Sequence, residues 1–178
     1  MRASGWAIVV LVIISSQPAR ASAQSTRAWE IAGGYQTVDD PLDRVTLLGW
    51  TADAAVRLMP WLSAVGETGA ARRTIFEIEL RQLALLGGAR AAARIGPFTE
   101  FVQILAGVSR SGSTVLGESR DEGSAFALQP GGGVDVSLGD AFAARFQIDR
   151  RSLLGGEFVS DDRHEIRLAA VLVFHSRR

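Results

Sequence analysis

The chain of 178 residues is long enough for one domain. It carries 19 basic and 19 acidic residues, so its formal net charge is zero, and all of the basic residues are arginines. A nucleic-acid-binding domain is excluded because it needs a basic surplus to neutralise phosphates. The absence of cysteine excludes disulfide scaffolds and thiolate metal sites, and a hydrophobic share of 47% excludes a disordered chain.

The N-terminal segment has the three parts of a secretory signal peptide. Arg2 supplies a positive start, residues 7–14 are an uninterrupted apolar run, and Ala21-Ser22-Ala23 follows as a cleavage site of the A-x-A type. The apolar run is about half of the roughly 20 residues that a membrane-spanning helix needs, which favours a cleaved signal over an uncleaved anchor. We therefore predict a signal peptide at 1–23 and an exported domain at 24–178.

After residue 23 the chain alternates between apolar and polar residues with a period of two. Phe142, Phe146 and Ile148 fall on one face of a strand, whereas Arg145 and Asp149 fall on the other. Successive side chains of a strand point to opposite sides, so this pattern predicts a strand with one apolar and one charged face. No later apolar run approaches the length of about 18 residues that indicates a membrane helix.

The same period predicts eight strands of an all-β domain. Their approximate ranges are 28–37, 45–57, 62–71, 78–92, 97–109, 124–138, 142–152 and 164–174. The connections after strands two, four and six are short, whereas the others are longer and polar, as in 38–44 and 110–123. Short turns on one rim and long loops on the other are typical of an outer-membrane barrel. An even number of antiparallel up-and-down strands can also close without leaving an unpaired edge.

Soluble and membrane β-barrels both alternate, but with opposite polarity, because the apolar face of a membrane barrel contacts lipid and its polar face fills the lumen. Three observations favour the membrane. The polar face mixes small residues with charged ones, its acids and arginines nearly balance, and Trp29, Trp50 and Phe174 are among the aromatic residues toward strand ends, where interface girdles lie. Enclosed charges must be paired and hydrogen-bonded, and the planar fork of arginine suits this.

A charged row inside the barrel is the candidate site. Its predicted role is to pair internally and fix the barrel, with the gating of a narrow passage as a further option. Its members are Glu30, Asp53, Glu67, Arg90, Asp135, Arg145, Gln147, Asp149, Arg151 and Arg167.

The chain resembles the small outer-membrane β-barrel proteins of Gram-negative bacteria, of the eight-stranded OmpA/OmpX-like type, over roughly 28–174. The resemblance is carried by the stretches 29–35, 85–90, 126–135 and 142–149. It implies termini on the periplasmic side, four longer loops outside, and outer-membrane lipid and the barrel-assembly machinery as partners. Members of this family commonly end on an aromatic residue, whereas Phe174 is followed here by four more residues, so we expect a weaker assembly signal.

The sequence offers little chemistry. It has two histidines, and no motif supports a site built from Ser160, His164 and Glu165. We therefore expect a non-enzymatic, monomeric outer-membrane protein with a structural or surface-interaction role, without cofactor, metal or nucleic-acid partner. Two other readings stay open at this point: a small pore or transporter of the outer membrane, and a secreted lipocalin-like barrel that binds an apolar ligand.

Overall fold

A computed structural model describes residues 29–40, 45–75, 78–115, 118–155 and 163–176. The predicted signal peptide at 1–23 lies outside the described residues. Among those that are described, no helix is long and apolar enough to cross a membrane. The strands are β1 (Trp29–Asp40), β2 (Val45–Met59), β3 (Leu62–Ile75), β4 (Ile78–Ile95), β5 (Phe98–Val115), β6 (Glu118–Ser137), β7 (Phe142–Leu154) and β8 (Arg163–His175).

The eight strands form a closed antiparallel barrel in which every strand pairs with its neighbours in the chain. The barrel closes between β1 and β8, from Glu30 opposite His175 to Asp39 opposite Ile166. Closure gives every strand two partners and so leaves no edge strand with unpaired backbone groups. The predicted fold class, an eight-stranded antiparallel up-and-down barrel, is confirmed.

The two ends of the barrel differ in the way that the strands are joined. At one end tight turns connect β2 to β3 and β4 to β5, at residues 60–61 and 96–97. Gly96 has a φ of 63°, a left-handed conformation that suits glycine in a tight turn. A four-residue connection at 138–141 joins β6 to β7 at the same end.

At the other end the strands run further than the sequence predicts. Of the predicted loop at 110–123, the described residues 110–115 and 118–123 belong instead to β5 and β6, which remain paired from Arg110 opposite Ser124 to Val115 opposite Glu118. An irregularity after Ser111 shifts the register by one residue, as a β-bulge does. The apolar alternation stops before this segment although the backbone ladder continues, and therefore the sequence pattern ended the strands too early.

Alternate residues of each strand point into the barrel or away from it. On β7 the side chains of Arg145 and Asp149 are buried, whereas Phe146 and Ile148 are each 56% exposed on the outer surface. The inner wall also holds apolar side chains. One buried group includes Val65, Leu86 and Leu105, and a second group on β1, β7 and β8 includes Ala32, Val171 and Val173.

The outer surface is a belt of large apolar side chains. It includes Ile31, Leu85, Val102, Ile104, Phe146, Leu168 and Leu172. Near the end with the tight turns, Phe174 lies between Trp29 and Phe142, with ring centroids 6.0 and 5.5 Å away. These exposed aromatic side chains border the belt on the side of the tight turns. Trp50, which the sequence places toward a strand end, lies instead within β2 opposite Tyr35, because β2 extends well beyond it on both sides.

Candidate functional site

All ten residues of the predicted charged row lie on the inner wall of the barrel. Nine of them are buried, and the side chain of Glu30 is 17% exposed. All eight strands contribute polar side chains to the resulting network, because each strand turns alternate residues inward. The network has two arginine-centred parts and a third part toward the far end of the lumen.

The first part lies toward the end with the tight turns and is centred on Arg145. Its guanidinium donates two hydrogen bonds to the carboxylate of Asp135, at 2.7 and 2.8 Å. It also donates to Glu30 Oε1 at 2.9 Å and to Asp53 Oδ1 at 3.2 Å. Arg90 reaches the same two acids, at 2.7 Å to Glu30 and 3.3 Å to Asp53. Two arginines thus hold three carboxylates together, in the bidentate geometry that suits guanidinium groups.

Two further residues complete this part. The guanidinium carbons of Arg90 and Arg145 lie 4.8 and 4.9 Å from the ring centroid of the buried Phe101, within cation–π range. His175 places Nδ1 3.5 Å from Glu30 Oε2. The sequence suggests a charged tail around His175, but this residue is the buried last residue of β8, because the inward alternation of β8 continues to the end of the strand.

The second part is centred on Arg167. Its Nε donates to Asp149 Oδ2 at 2.9 Å and its Nη2 to Glu67 Oε2 at 2.7 Å. Its Nη1 donates to Gln36 Oε1 at 3.0 Å and to Thr51 Oγ1 at 3.1 Å. Arg167 therefore links β8 to β1, β2, β3 and β7 through hydrogen bonds of one guanidinium group.

Gln103 joins the two arginine-centred parts. Gln103 accepts a hydrogen bond from Arg90 and donates one to Asp149, at 3.0 and 3.1 Å. Gln147 also donates to Asp149, at 2.9 Å. The sequence prediction included Gln147 but not Gln103, although Gln103 lies at an inward position of β5 and could have been found by applying the same period there.

The lumen is so crowded at this level that a side chain would not fit on Gly131. A Cβ placed there would overlap the carboxylate of Asp149, which accepts hydrogen bonds from Gln103, Gln147 and Arg167. Glycine at this position of β6 therefore leaves room for the carboxylate of Asp149, its ladder partner on the neighbouring strand β7.

The third part lies toward the end opposite the tight turns. Arg151 donates to Gln129 at 2.8 Å, and its Nη1 lies 3.6 Å from Glu165 Oε2. Gln129 in turn donates to Glu67 at 3.0 Å, and Gln82 donates to Glu165 Oε1 at 2.7 Å. Glu165 therefore belongs to the lumen network, which the sequence prediction missed.

Glu165 and His164 do not face each other. Glu165 points into the lumen, whereas His164 Nδ1 lies 3.1 Å from Ser152 Oγ on the opposite face of the sheet. Ser160 lies outside the described residues. Within the described ranges no cluster of three or more histidine, aspartate or glutamate side chains could hold a metal ion.

The expected balance of charge on the inner wall is not found among the described residues. Six carboxylates are buried there, against four arginines and His175. A fifth arginine of the polar face, Arg57 on β2, is only half-buried at the rim. The six acids are Asp40, Asp53, Glu67, Asp135, Asp149 and Glu165. Glu67 and Asp149 share the single arginine of the second part, Arg167, which accounts for part of the excess of acids.

No protein-family profile and no curated protein sequence matches the chain. Solved structures do match. Neisserial surface protein A superposes with a TM-score of 0.70 at 9% identity, covering 83% of this chain and 96% of that one. The chain has the fold of the small eight-stranded outer-membrane β-barrels.

Two further barrels of this fold match over a similar share of the chain. The attachment invasion locus protein Ail of Yersinia pestis gives a TM-score of 0.58 at 15% identity, over 83% of this chain and 96% of Ail. The N-terminal β-barrel domain of OprF from Pseudomonas aeruginosa gives 0.55 at 10% identity, over 84% and 98%. At such identities the likeness concerns the outer-membrane-type barrel and not the activity of any one of these proteins.

Proposed function

We propose that the chain spans the bacterial outer membrane as a non-enzymatic barrel with a closed lumen and a surface-interaction role. The observation that carries the proposal is the reversed polarity of the barrel. Arg145 and Arg167 are each 1% exposed inside, whereas Leu85 is 68% exposed outside. Water-soluble proteins rarely expose a continuous apolar surface of this extent, and in a lipid environment the same surface is solvated favourably.

The dimensions of the belt support a membrane crossing. The outward row of β8 runs from Ile166 to Phe174, and a tilted transmembrane strand needs about 9–11 residues. The exposed aromatic cluster of Trp29, Phe142 and Phe174 lies at one end of this belt, which is where an aromatic girdle meets the membrane interface.

The packing of the lumen supports a closed barrel. Leu105 and Gln129 have no exposed surface, and Arg145 and Arg167 have almost none. An eight-stranded barrel has an interior just wide enough for side chains to fill, and here hydrogen-bonded side chains from opposite walls meet in it. We therefore assign the charged network a structural role and favour a closed barrel over a pore.

The surface-interaction role is supported by the length of the strands in the middle of the chain. β4, β5 and β6 have 18, 18 and 20 residues, which exceeds the 9–11 or so that a crossing needs. The extra residues lie at the end opposite the tight turns and place paired strands outside the bilayer. Ail, the attachment invasion locus protein of Yersinia pestis, has the same fold, and by that analogy we propose a contact role at the cell surface.

Cell fractionation tests the location. The protein should be recovered with the outer membrane and should migrate faster in electrophoresis without boiling than after boiling, because a closed barrel resists detergent. Recovery in the soluble periplasm would overturn the membrane proposal and favour a lipocalin-like carrier.

Planar-bilayer recording tests the closed lumen. The purified barrel should give no steady current above that of the protein-free bilayer, because hydrogen-bonded side chains from opposite walls meet in the interior. Reproducible single-channel steps would overturn the closed lumen and support a small pore.

A further inference from the structure

Three arginines stand in a row on the outer surface, above the apolar belt. Arg72 on β3, Arg81 on β4 and Arg110 on β5 are all exposed, and each follows or precedes a buried inward residue. Arg72 and Arg81 are direct partners in the ladder, and Arg110 pairs with Leu83, the next outward residue of β4. Because the strands of such barrels tilt by about 35–45°, this stagger keeps the three arginines at a similar height.

The described side chains around the three arginines carry a net positive charge. Like charges directly opposite each other destabilise a strand pair. Glu79 pairs with Arg81 through two hydrogen bonds of 3.1 Å, and these bonds lower the pKa of the Glu79 carboxyl. Within the described part of the chain, Arg72 and Arg110 make no hydrogen bond or ion pair. Among the side chains that the structure describes at this place, three arginines face one glutamate, so their net charge is positive.

The surface directly beneath the row is apolar and concave. A groove of about 1590 Å³ is lined by all three arginines and by the outward residues Leu48, Trp50 and Leu83. Its lining continues past Tyr35 on β1 to Phe146 on β7, and it also includes inward residues such as Gln36 and Gln82. The small residues Gly49 and Ala70 lie between the larger ones and form part of its floor. A molecule that fills this groove would contact guanidinium groups at one end and aliphatic and aromatic side chains along the rest.

We propose that this groove binds a phosphorylated membrane lipid, whose headgroup phosphates contact Arg72, Arg81 and Arg110 and whose acyl chains lie against Leu48, Trp50 and Leu83. Guanidinium groups bind phosphate through charge-assisted, bidentate hydrogen bonds. The order of the two surfaces along the barrel axis, cationic above and apolar below, matches the order of headgroup and acyl chains in a leaflet. The inference rests on the proposed function, since it requires that the belt lie in a membrane.

The test uses the full barrel purified in detergent and measures bound lipid by native mass spectrometry. The probes are bisphosphorylated lipid A, the glycolipid of Gram-negative outer leaflets, and zwitterionic phosphatidylcholine. The parent should bind lipid A in preference to phosphatidylcholine. In the double variant Arg72→Gln/Arg110→Gln this preference should fall by about thirtyfold, as expected from removing two arginines that face an anionic membrane surface.

The matched control is Arg150→Gln. Arg150 is also exposed on the outer surface, but it lies on β7 and outside the groove, so this variant should keep the preference of the parent. Equal binding of lipid A by the parent and the double variant would overturn the inference. Displacement of lipid A by an equal concentration of inorganic phosphate would also overturn it, because a site for free phosphate does not use the apolar half of the groove.

Fractionation of the same variants separates this inference from the proposed function. All variants should remain in the outer membrane with unchanged heat-dependent mobility, since the substituted side chains are exposed. An outer-membrane protein without lipid preference would contradict the groove alone. A soluble periplasmic protein would contradict the proposed function and the groove's lipid role together.

Discussion

Arg145 shows how a single side chain can decide whether the interior of a barrel is stable. It contacts the carboxylates of Glu30, Asp53 and Asp135 within 3.2 Å and is almost completely buried. A buried charge is tolerated only when it is paired and hydrogen-bonded. Removing one partner of such a group leaves a buried charge without compensation. This destabilises a protein much more than replacing the whole ion pair with apolar residues does.

We therefore expect Arg145→Leu to destabilise the barrel. Glu30 and Asp53 would then keep Arg90, whereas Asp135 would lose its arginine partner. Breaking a buried ion pair in this way lowers the free energy of unfolding by about 3–5 kcal/mol. Urea unfolding of the refolded protein in lipid vesicles, followed by tryptophan fluorescence, measures the change. Adding Asp135→Asn to the variant should restore part of the loss, because one uncompensated carboxylate is removed.

Arg150→Leu is the matched control for this experiment. Arg150 lies on the same strand but faces outward next to Ile166, so the same substitution there removes a charge from the lipid-facing side. It should leave the unfolding transition unchanged or shift it to higher urea concentration. If the Arg145 and Arg150 variants unfold alike, the two side chains do not face different environments.

At the scale of the strand, the alternation of apolar and polar residues predicted which strands exist and which way their side chains point. It did not predict where the strands end. The inward row of β7 from Ala143 to Arg151 follows directly from the alternation. The paired extension of β5 and β6 was missed because its residues are mostly polar or small on both faces, so apolar and polar residues do not alternate there. A backbone ladder needs no apolar face, and hence this part of the fold leaves no period in the sequence.

The sequence pattern also could not predict which side chains contact each other inside the barrel. The alternation puts Arg167 and Glu67 on inner walls, but their contact at 2.7 Å depends on which walls the closed barrel brings together. Gln36 and Arg167 are 131 residues apart in the chain and yet are hydrogen-bonded. Such pairs follow from strand register and barrel closure, which the sequence pattern does not specify.

The extended hairpin predicts slow backbone exchange where a loop was expected. Residues 109–114 of β5 are paired with β4 on one side and with β6 on the other. Amides in such a ladder exchange with solvent only when the strands separate. Hydrogen–deuterium exchange of the barrel in lipid, read by mass spectrometry of peptides, should show protection there. The turn at 139–141 serves as the exposed reference, and equally fast exchange in both segments would contradict the paired extension.

At the scale of the whole molecule, the barrel wall and the lumen network act together. Neighbouring strands are joined by backbone ladders, whereas the side chains in the lumen join strands that are not neighbours, as Arg145 on β7 does with Asp53 on β2. The side chains of the interior thus fix the cross-section of the barrel, whereas the stability of the apolar outer surface depends on the solvent around it. A protein that is polar inside and apolar outside is stable only if those surroundings are themselves apolar.

This polarity predicts where the tryptophans lie in a bilayer. Trp61 is in the turn between β2 and β3, whereas Trp50 lies within β2 opposite Tyr35, and both are about half exposed on the outer surface. In variants whose other tryptophans are replaced by phenylalanine, lipids brominated deep in the acyl chains should quench Trp50 more than Trp61. Lipids brominated near the headgroup should quench Trp61 more, since aromatic girdles lie at the interface. Absence of quenching at both positions would contradict a lipid-facing belt, and reversed depths would contradict the placement of the tight turns at the membrane surface.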